Sequence, residues 1–423
     1  MPQIVDIAPG VEGLFIKNPR FKTTQISVNF YQGLSWDTVS SNAILPYCLA
    51  SSSGEYPDFT SLNQKLNELY GARLRADAYK LGDSQVLKLS INVIDNKYTL
   101  DGSDVVNEAA VLLAGLIFNP ALDDGSFKSD VVEREKRLLL ERIEGEINDK
   151  RRYALARCEA LMCKDEPFGI PKYGTAESAK ELNDDDVYNA WERALRSAYI
   201  RINIIGSTLP DGIWERFKSA FSAIRRENAA LPGNSTGAAP ENPLEVTEEM
   251  DVTQGKLVMG FRTGQSGSDE ETLPLLVMND VYGGGPYSRL FTNVREKLSL
   301  CYYCSASANR RKGLIFVQSG VDINNVTRAK EEILNQLEIM KKGQFEDSEL
   351  ESSLKSLSNY FTSVLDVPEH IDRWYTDRVF DRQPWSPDEL AQKVKTVNRE
   401  DVITAAQGVK LDTVYILSPT NVK

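Results

Sequence analysis

Few stretches of this chain have residue types and spacing suited to chemistry. A glycine run, Gly283–Gly285, leads through Pro286 and Tyr287 to Arg295-Glu296-Lys297 and the tyrosines Tyr302 and Tyr303. Glycines near charged residues can cradle a phosphate, but a Walker loop ends in Gly-Lys-Ser/Thr. A dinucleotide turn needs Gly-x-Gly-x-x-Gly after a strand. These glycines follow a helix-like segment, with Pro286 suited to the first turn of the next helix, so the run reads as a helix-to-helix break. Gly233-Asn234-Ser235-Thr236-Gly237 matches Gly-x-Ser-x-Gly letter for letter. A nucleophile elbow needs a strand before that serine and a helix after it. Prolines stand on both sides instead, which makes a flexible connector. Cys301 and Cys304 form a Cys-x-x-Cys. On a regular strand, residues three apart face opposite sides and cannot share a metal, and a zinc site of this kind needs two more ligands.

His370 is the only histidine. Every zinc motif built on two imidazoles, including HExxH and HxxEH, is therefore absent. It sits in "DVPEHIDRWY", an acidic and aromatic helix entrance where a solitary histidine reads as structural. Five cysteines, at 48, 158, 163, 301 and 304, make an odd count unlike a disulfide framework.

The elements that must position these residues follow from length and pattern. A chain of 423 residues exceeds one compact core. With 49 basic and 61 acidic residues its net charge is −12, which argues against a nucleic-acid footprint. Without a membrane-length apolar run or a secretory start, a cytoplasmic location is expected. Composition shifts at "ENAALPGNSTGAAPENPLE", which predicts a linker over 227–245 between domains at 1–226 and 246–423. The halves look alike. "LNELYGARLRADAYKLGDSQVLKLSINV" (66–93) and "VREKLSLCYYCSASANRRKGLIFVQSGV" (294–321) each read as helix end, strand, turn and strand, with Leu69 against Leu298 and Ala78 against Ser307 at an offset of 229. Each is followed by helical sequence. Strands are predicted near residues 25, 203, 259 and 415, and a helix over 130–150. The fold class is α+β: two homologous layered domains, each an antiparallel-rich sheet covered by helices.

On these residues the chain resembles the C-terminal half of insulinase (pitrilysin) family zinc metallopeptidases and the subunits of mitochondrial processing peptidase. Their pattern of Ser-Arg-Leu-Phe, then Arg-Glu-Lys, then Leu-x-Tyr maps onto Ser288-Arg289-Leu290-Phe291, Arg295-Glu296-Lys297 and Leu300-Cys301-Tyr302. The resemblance implies a clamshell half in which Arg295 and Tyr302 bind substrate, reaching the scissile peptide. An arginine and a phenol suit that role, since they can orient a carbonyl and stabilise the charge it gains.

The N-terminal half departs from the pattern. Cleaving members carry HxxEH and a downstream glutamate; here the corresponding stretch is "NAILPYCLASSSGEYPD" (42–58). In one register Ile44, Tyr47 and Cys48 replace His, Glu and His; in the other, Ala43, Pro46 and Tyr47 do. Glu133, in "VEREKRLLLE", falls at the third-ligand position but reads better as a helix-surface charge, since one carboxylate does not hold catalytic zinc. Cys48 as an independent nucleophile would need a base near it. The resemblance therefore implies a non-catalytic subunit with no metal or cofactor of its own. Its partner would be a zinc-bearing HxxEH subunit, its substrate a peptide, with neither nucleic acid nor membrane as partner. The alternative is a peptide-binding or scaffold homodimer.

Overall fold

A computed structural model describes residues 3–227, 229–381 and 384–420. The chain forms two compact units, the first from residues 1–144, 170–233 and 366–380, the second from 145–169, 234–365 and 381–423. The switch at Gly233/Asn234 lies inside the proline-rich stretch. Each unit also takes in a segment from the other sequence half: residues 145–169 join the second unit and 366–380 the first.

The first unit contains β1 (Gln3–Ala8), β2 (Val11–Lys17), β3 (Thr23–Gly33), β4 (Arg73–Leu81) and β5 (Ser84–Ile94), a small hairpin β6 (Leu122–Asp123) and β7 (Ser126–Phe127), and β8 (Tyr199–Gly206). Its large sheet runs β4-β5-β3-β8-β2-β1. The second unit contains β9 (Leu244–Met250), β10 (Gly255–Arg262), β11 (Cys301–Asn309), β12 (Leu314–Val321) and β13 (Lys410–Pro419), in the order β11-β12-β10-β13-β9. The orders match once the outermost β1 is set aside, and so do the senses. The hairpins β4/β5 and β11/β12 are antiparallel, as are β3/β8 and β10/β13, while β2/β8 and β9/β13 are parallel. The repeated pattern read from sequence is thus two copies of one topology. A further correspondence is in the backbone: Tyr70 (φ 57°) and Ser299 (φ 50°) are both left-handed and stand at the 229-residue offset. Each ends a helical segment, after Leu69 and Leu298, and turns the chain into the first hairpin strand.

The central strands β3 and β10 are buried almost end to end, because helices cover both faces of each sheet. In the first unit the helices Val39–Leu49 and Val105–Phe118 pack on the hairpin side, and Pro368–Asp377 packs on β3 and β8. Its core is aliphatic, with Ile26, Val28, Leu87, Leu89, Ile91, Leu113 and Ile202 among the buried residues. In the second unit Lys150–Met162 packs on β10 and β13, while Asp269–Gly283 lies against β11. The two transferred segments are each fixed by one acid. Asp372, fully buried, meets Lys88 Nζ at 2.6 Å and accepts from Ser27 Oγ at 2.7 Å and Asn203 Nδ2 at 2.8 Å. Glu166 pairs with Arg262 at 2.6 Å and with Lys312 at 2.7 Å, and Arg262 also reaches Asp412 at 3.0 Å.

Strands expected near residues 25, 203, 259 and 415 are β3, β8, β10 and β13, and the helix expected over 130–150 is Ser129–Asn148. The β1/β2 hairpin was not expected: "VDIAPGVEG" has little alternation, and β2 is defined by pairing with β8, and β1 by pairing with β2, rather than by pattern. β9 begins at Leu244, so the last two residues of the predicted linker are strand.

Candidate functional site

Asp269–Gly283 ends against β11. A Cβ on Gly283 would stand 2.5 Å from the Ala306 nitrogen and 2.6 Å from its Cβ, so only glycine permits this approach. The glycine run is a helix break, and the helix that follows has an unusual pitch. Leu290–Lys297 is π-helical: the Leu298 N–H donates to the Asn293 carbonyl, five residues back, at 3.2 Å. Such segments are rare, and they recur at functional sites.

Two arginines of the motif have opposite environments. Arg289 is buried; its Nε donates to Gln336 at 2.9 Å and its NH1 pairs with Glu349 at 2.8 Å. Gln336 also accepts from Asn293 Nδ2 at 3.2 Å. This network ties the π-helix to the helices Val326–Lys341 and Asp347–Ser363. Arg295 lies at the far end of the segment, 38% exposed, stacked on Phe291 at 4.5 Å and 3.5 Å from Glu296. Left-handed Ser299 then reverses the chain into β11, where Tyr302 is 72% exposed.

The strand rule applied to Cys301 and Cys304 fails here, for a definite reason. β11 carries a bulge: Cys301 pairs with Val321, Tyr303 with Gly320 and Cys304 with Ser319, which leaves Tyr302 without a ladder partner. The extra residue converts a spacing of three into an effective two. Both sulfurs therefore lie on one face and hydrogen-bond each other.

The remaining motifs fall apart as chemistry. Ser235 is exposed in a segment without strand or helix, and its carbonyl accepts from Lys312. His370 is exposed on Pro368–Asp377.

In the first unit, Ala43, Ile44, Pro46, Tyr47 and Cys48 all lie on the helix Val39–Leu49. Residues 44, 47 and 48 share one face, as do 43, 46 and 47. All but Tyr47 are buried, Ile44 and Cys48 inside the main core. Burial pushes the Cys48 thiol well above its ordinary pKa and the Tyr47 phenol up to about 12. From Ser129–Asn148, the Arg142 guanidinium lies 3.9 Å from the Tyr47 ring centre, and Glu135 and Arg134 act on Cys48. Glu133 is elsewhere on that helix, its side chain 65% exposed and paired with Lys136 at 3.2 Å. The buried carboxylate nearby is Glu135, held by Arg134 at 3.1 Å.

The family profile described as "Peptidase M16 inactive domain" matches residues 181–357. A Bacillus subtilis (strain 168) protein named "Probable inactive metalloprotease YmfF" is 29% identical over 411 residues, covering 97% of this chain and 96% of that protein. Residues 181–357 thus match the peptidase M16 family, and the chain is similar to a probable inactive metalloprotease over nearly its whole length. A conserved protein from Enterococcus faecalis V583 has the same fold at TM-score 0.92 and 25% identity, over 100% of this chain and 99% of that one. A peptidase M16 inactive domain from Pseudomonas fluorescens superposes at TM-score 0.80 and 17% identity, over 100% and 99% of the two chains.

The matched family and relatives are described as inactive or as zinc proteases, so fit to zinc is the question for these residues. A catalytic zinc takes three deprotonated or neutral donors. The face on Val39–Leu49 offers an isoleucine, a phenol and a buried protonated thiol, with a fixed positive charge against it, and these residues do not fit the metal. No group of three or more His, Cys, Asp or Glu suited to a metal occurs elsewhere among the described residues. Dialysis against excess zinc followed by elemental analysis is expected to leave the chain without stoichiometric metal.

Sequence reasoning missed two positions here. Arg289 was quoted within the motif, but nothing in the sequence distinguished its buried role from the exposed role of Arg295. Arg142 lay beyond the stretch compared with the third ligand. Helical phase was the usable signal, since positions 135, 139 and 142 lie on one face of Ser129–Asn148, and Glu135 and Leu139 are buried.

Proposed function

We propose that this chain is the non-catalytic subunit of an insulinase-type metallopeptidase in the cytoplasm. It binds peptide through Arg295 and Tyr302 and completes the active site of a zinc-bearing partner. The observation that carries the reading is the asymmetry of the M16 site features. The positions that the resemblance assigns to zinc hold mostly core side chains, with Arg142 against Tyr47, whereas Arg295 and Tyr302 are exposed on a π-helix end and a bulge. An exposed guanidinium and phenol contribute little to the fold's stability here, and their chemistry suits a polarised peptide carbonyl. No helix among the described residues is long and apolar enough to cross a membrane.

Affinity purification at native expression level, followed by mass spectrometry, tests the assembly. A stoichiometric companion of similar size bearing HxxEH is the expected result. Recovery of the chain alone as a metal-free homodimer would overturn the proposal and favour a binding or scaffold role.

A further inference from the structure

Cys301 and Cys304 flank the bulge at Tyr302, and peptide binding makes no use of them. Their partners on β12, Val321 and Ser319, are two residues apart and so lie on one face. Two ladder steps amount to about 6.7 Å. That is the long end of the roughly 4.4–6.8 Å Cα separation that a disulfide spans. The two thiols hydrogen-bond each other, and the Ser319 side chain reaches both. β11 is the edge strand of its sheet, so no further strand covers the pair.

We propose that Cys301 and Cys304 form a reversible dithiol–disulfide site, closed across the Tyr302 bulge by a small-molecule disulfide of the glutathione type. Cys301, 9% exposed against 4% for Cys304, is the point of entry. The hydrogen bond from Cys304 holds the Cys301 thiol below its ordinary pKa against the opposing effect of burial, with Ser319 and Arg295 acting in the same direction. Cys304 is pushed the other way, chiefly by that same hydrogen bond and by burial. The Cys301 thiolate attacks one sulfur of the small disulfide, forming a mixed disulfide and expelling one thiolate. Cys304 then gives up its proton to that thiolate and attacks the Cys301 sulfur, expelling the second small thiolate, which takes up the proton that Cys301 released. Two protein thiols are oxidised and one small disulfide is reduced to two thiols, so atoms and electrons balance. A long Cα separation makes the closed form easily reduced. The other cysteines lack this arrangement: Cys48, Cys158 and Cys163 are buried, and burial raises all three thiols.

The test uses the intact chain and oxidised glutathione at neutral pH, with a denaturing alkylation quench and tryptic mass spectrometry. Both cysteines fall in one fragment, Leu298–Arg310. It is expected to appear unalkylated and lighter by two hydrogens, and to regain two alkyl groups after dithiothreitol. Cys304→Ser should stop at the first step, leaving one glutathione on Cys301. A wild-type fragment that keeps two alkylatable thiols, or carries glutathione on each cysteine, overturns the proposal. These readouts involve neither partner nor peptide, so they stand or fall separately from the proposed function.

Discussion

If the proposed two-subunit peptidase forms, Arg295→Ala is expected to lower its kcat/KM by about 10²–10³-fold while leaving assembly intact. That is the usual loss when one preorganised donor to a developing oxyanion is removed. The stability of the chain should hardly change. Arg295 is more than a third exposed, and its ion partner Glu296 is a surface residue 3.5 Å away; such pairs contribute little. Its stack on Phe291 adds on the order of 0.5–1 kcal/mol. Arg289, six residues earlier, is the control with the reverse profile. Arg289→Ala strips Glu349 and Gln336 of a buried guanidinium and should destabilise the second unit by about 3–5 kcal/mol. Cleavage kinetics, light scattering for assembly and denaturant titration separate the two outcomes. Unchanged turnover in Arg295→Ala would remove the basis for assigning it to the substrate.

This contrast marks how far the sequence could be read. The paired hairpins at an offset of 229 were legible because period-two alternation and helix ends are local signals, and the left-handed Tyr70 and Ser299 add a match that no residue type announced. The string from Ser288 to Tyr302 was recognisable, but its two arginines were not separable, because burial of Arg289 depends on Gln336 and Glu349 from two later helices. The Cys-x-x-Cys was misread for the same kind of reason. A bulge is a property of the pairing with β12, and a strand considered alone gives the wrong face. The exchange of residues 145–169 and 366–380 between units was invisible as well. Their helical pattern says that one face is buried but not against which sheet.

That exchange makes Asp372 the position with the largest expected effect on folding. Asp372 lies on Pro368–Asp377, far along the chain from the strands it joins, and its carboxylate gathers Lys88 from β5, Ser27 from β3 and Asn203 from β8. Asp372→Ala leaves a largely buried ammonium without its ion-pair partner and Ser27 without its acceptor, while Asn203 keeps only Thr376 Oγ1 at 3.0 Å. Breaking a buried pair from one side costs about 3–5 kcal/mol, a large share of the roughly 5–15 kcal/mol that holds a domain folded. Amide exchange in β3, β5 and β8 should rise accordingly. Asp372→Asn retains an acceptor for Ser27 and should cost less, so its own cost reads the loss of the ion pair and the difference between the two variants reads the hydrogen bonds. The double replacement Lys88→Met with Asp372→Leu removes both charges together and should recover much of the loss, because an apolar pair of similar volume has no desolvation cost to offset. If Asp372→Ala cost less than about 1 kcal/mol, the value of an ordinary hydrogen bond, the helix would be held by its apolar face alone. Asp372 would then fix its register on the sheet without anchoring it.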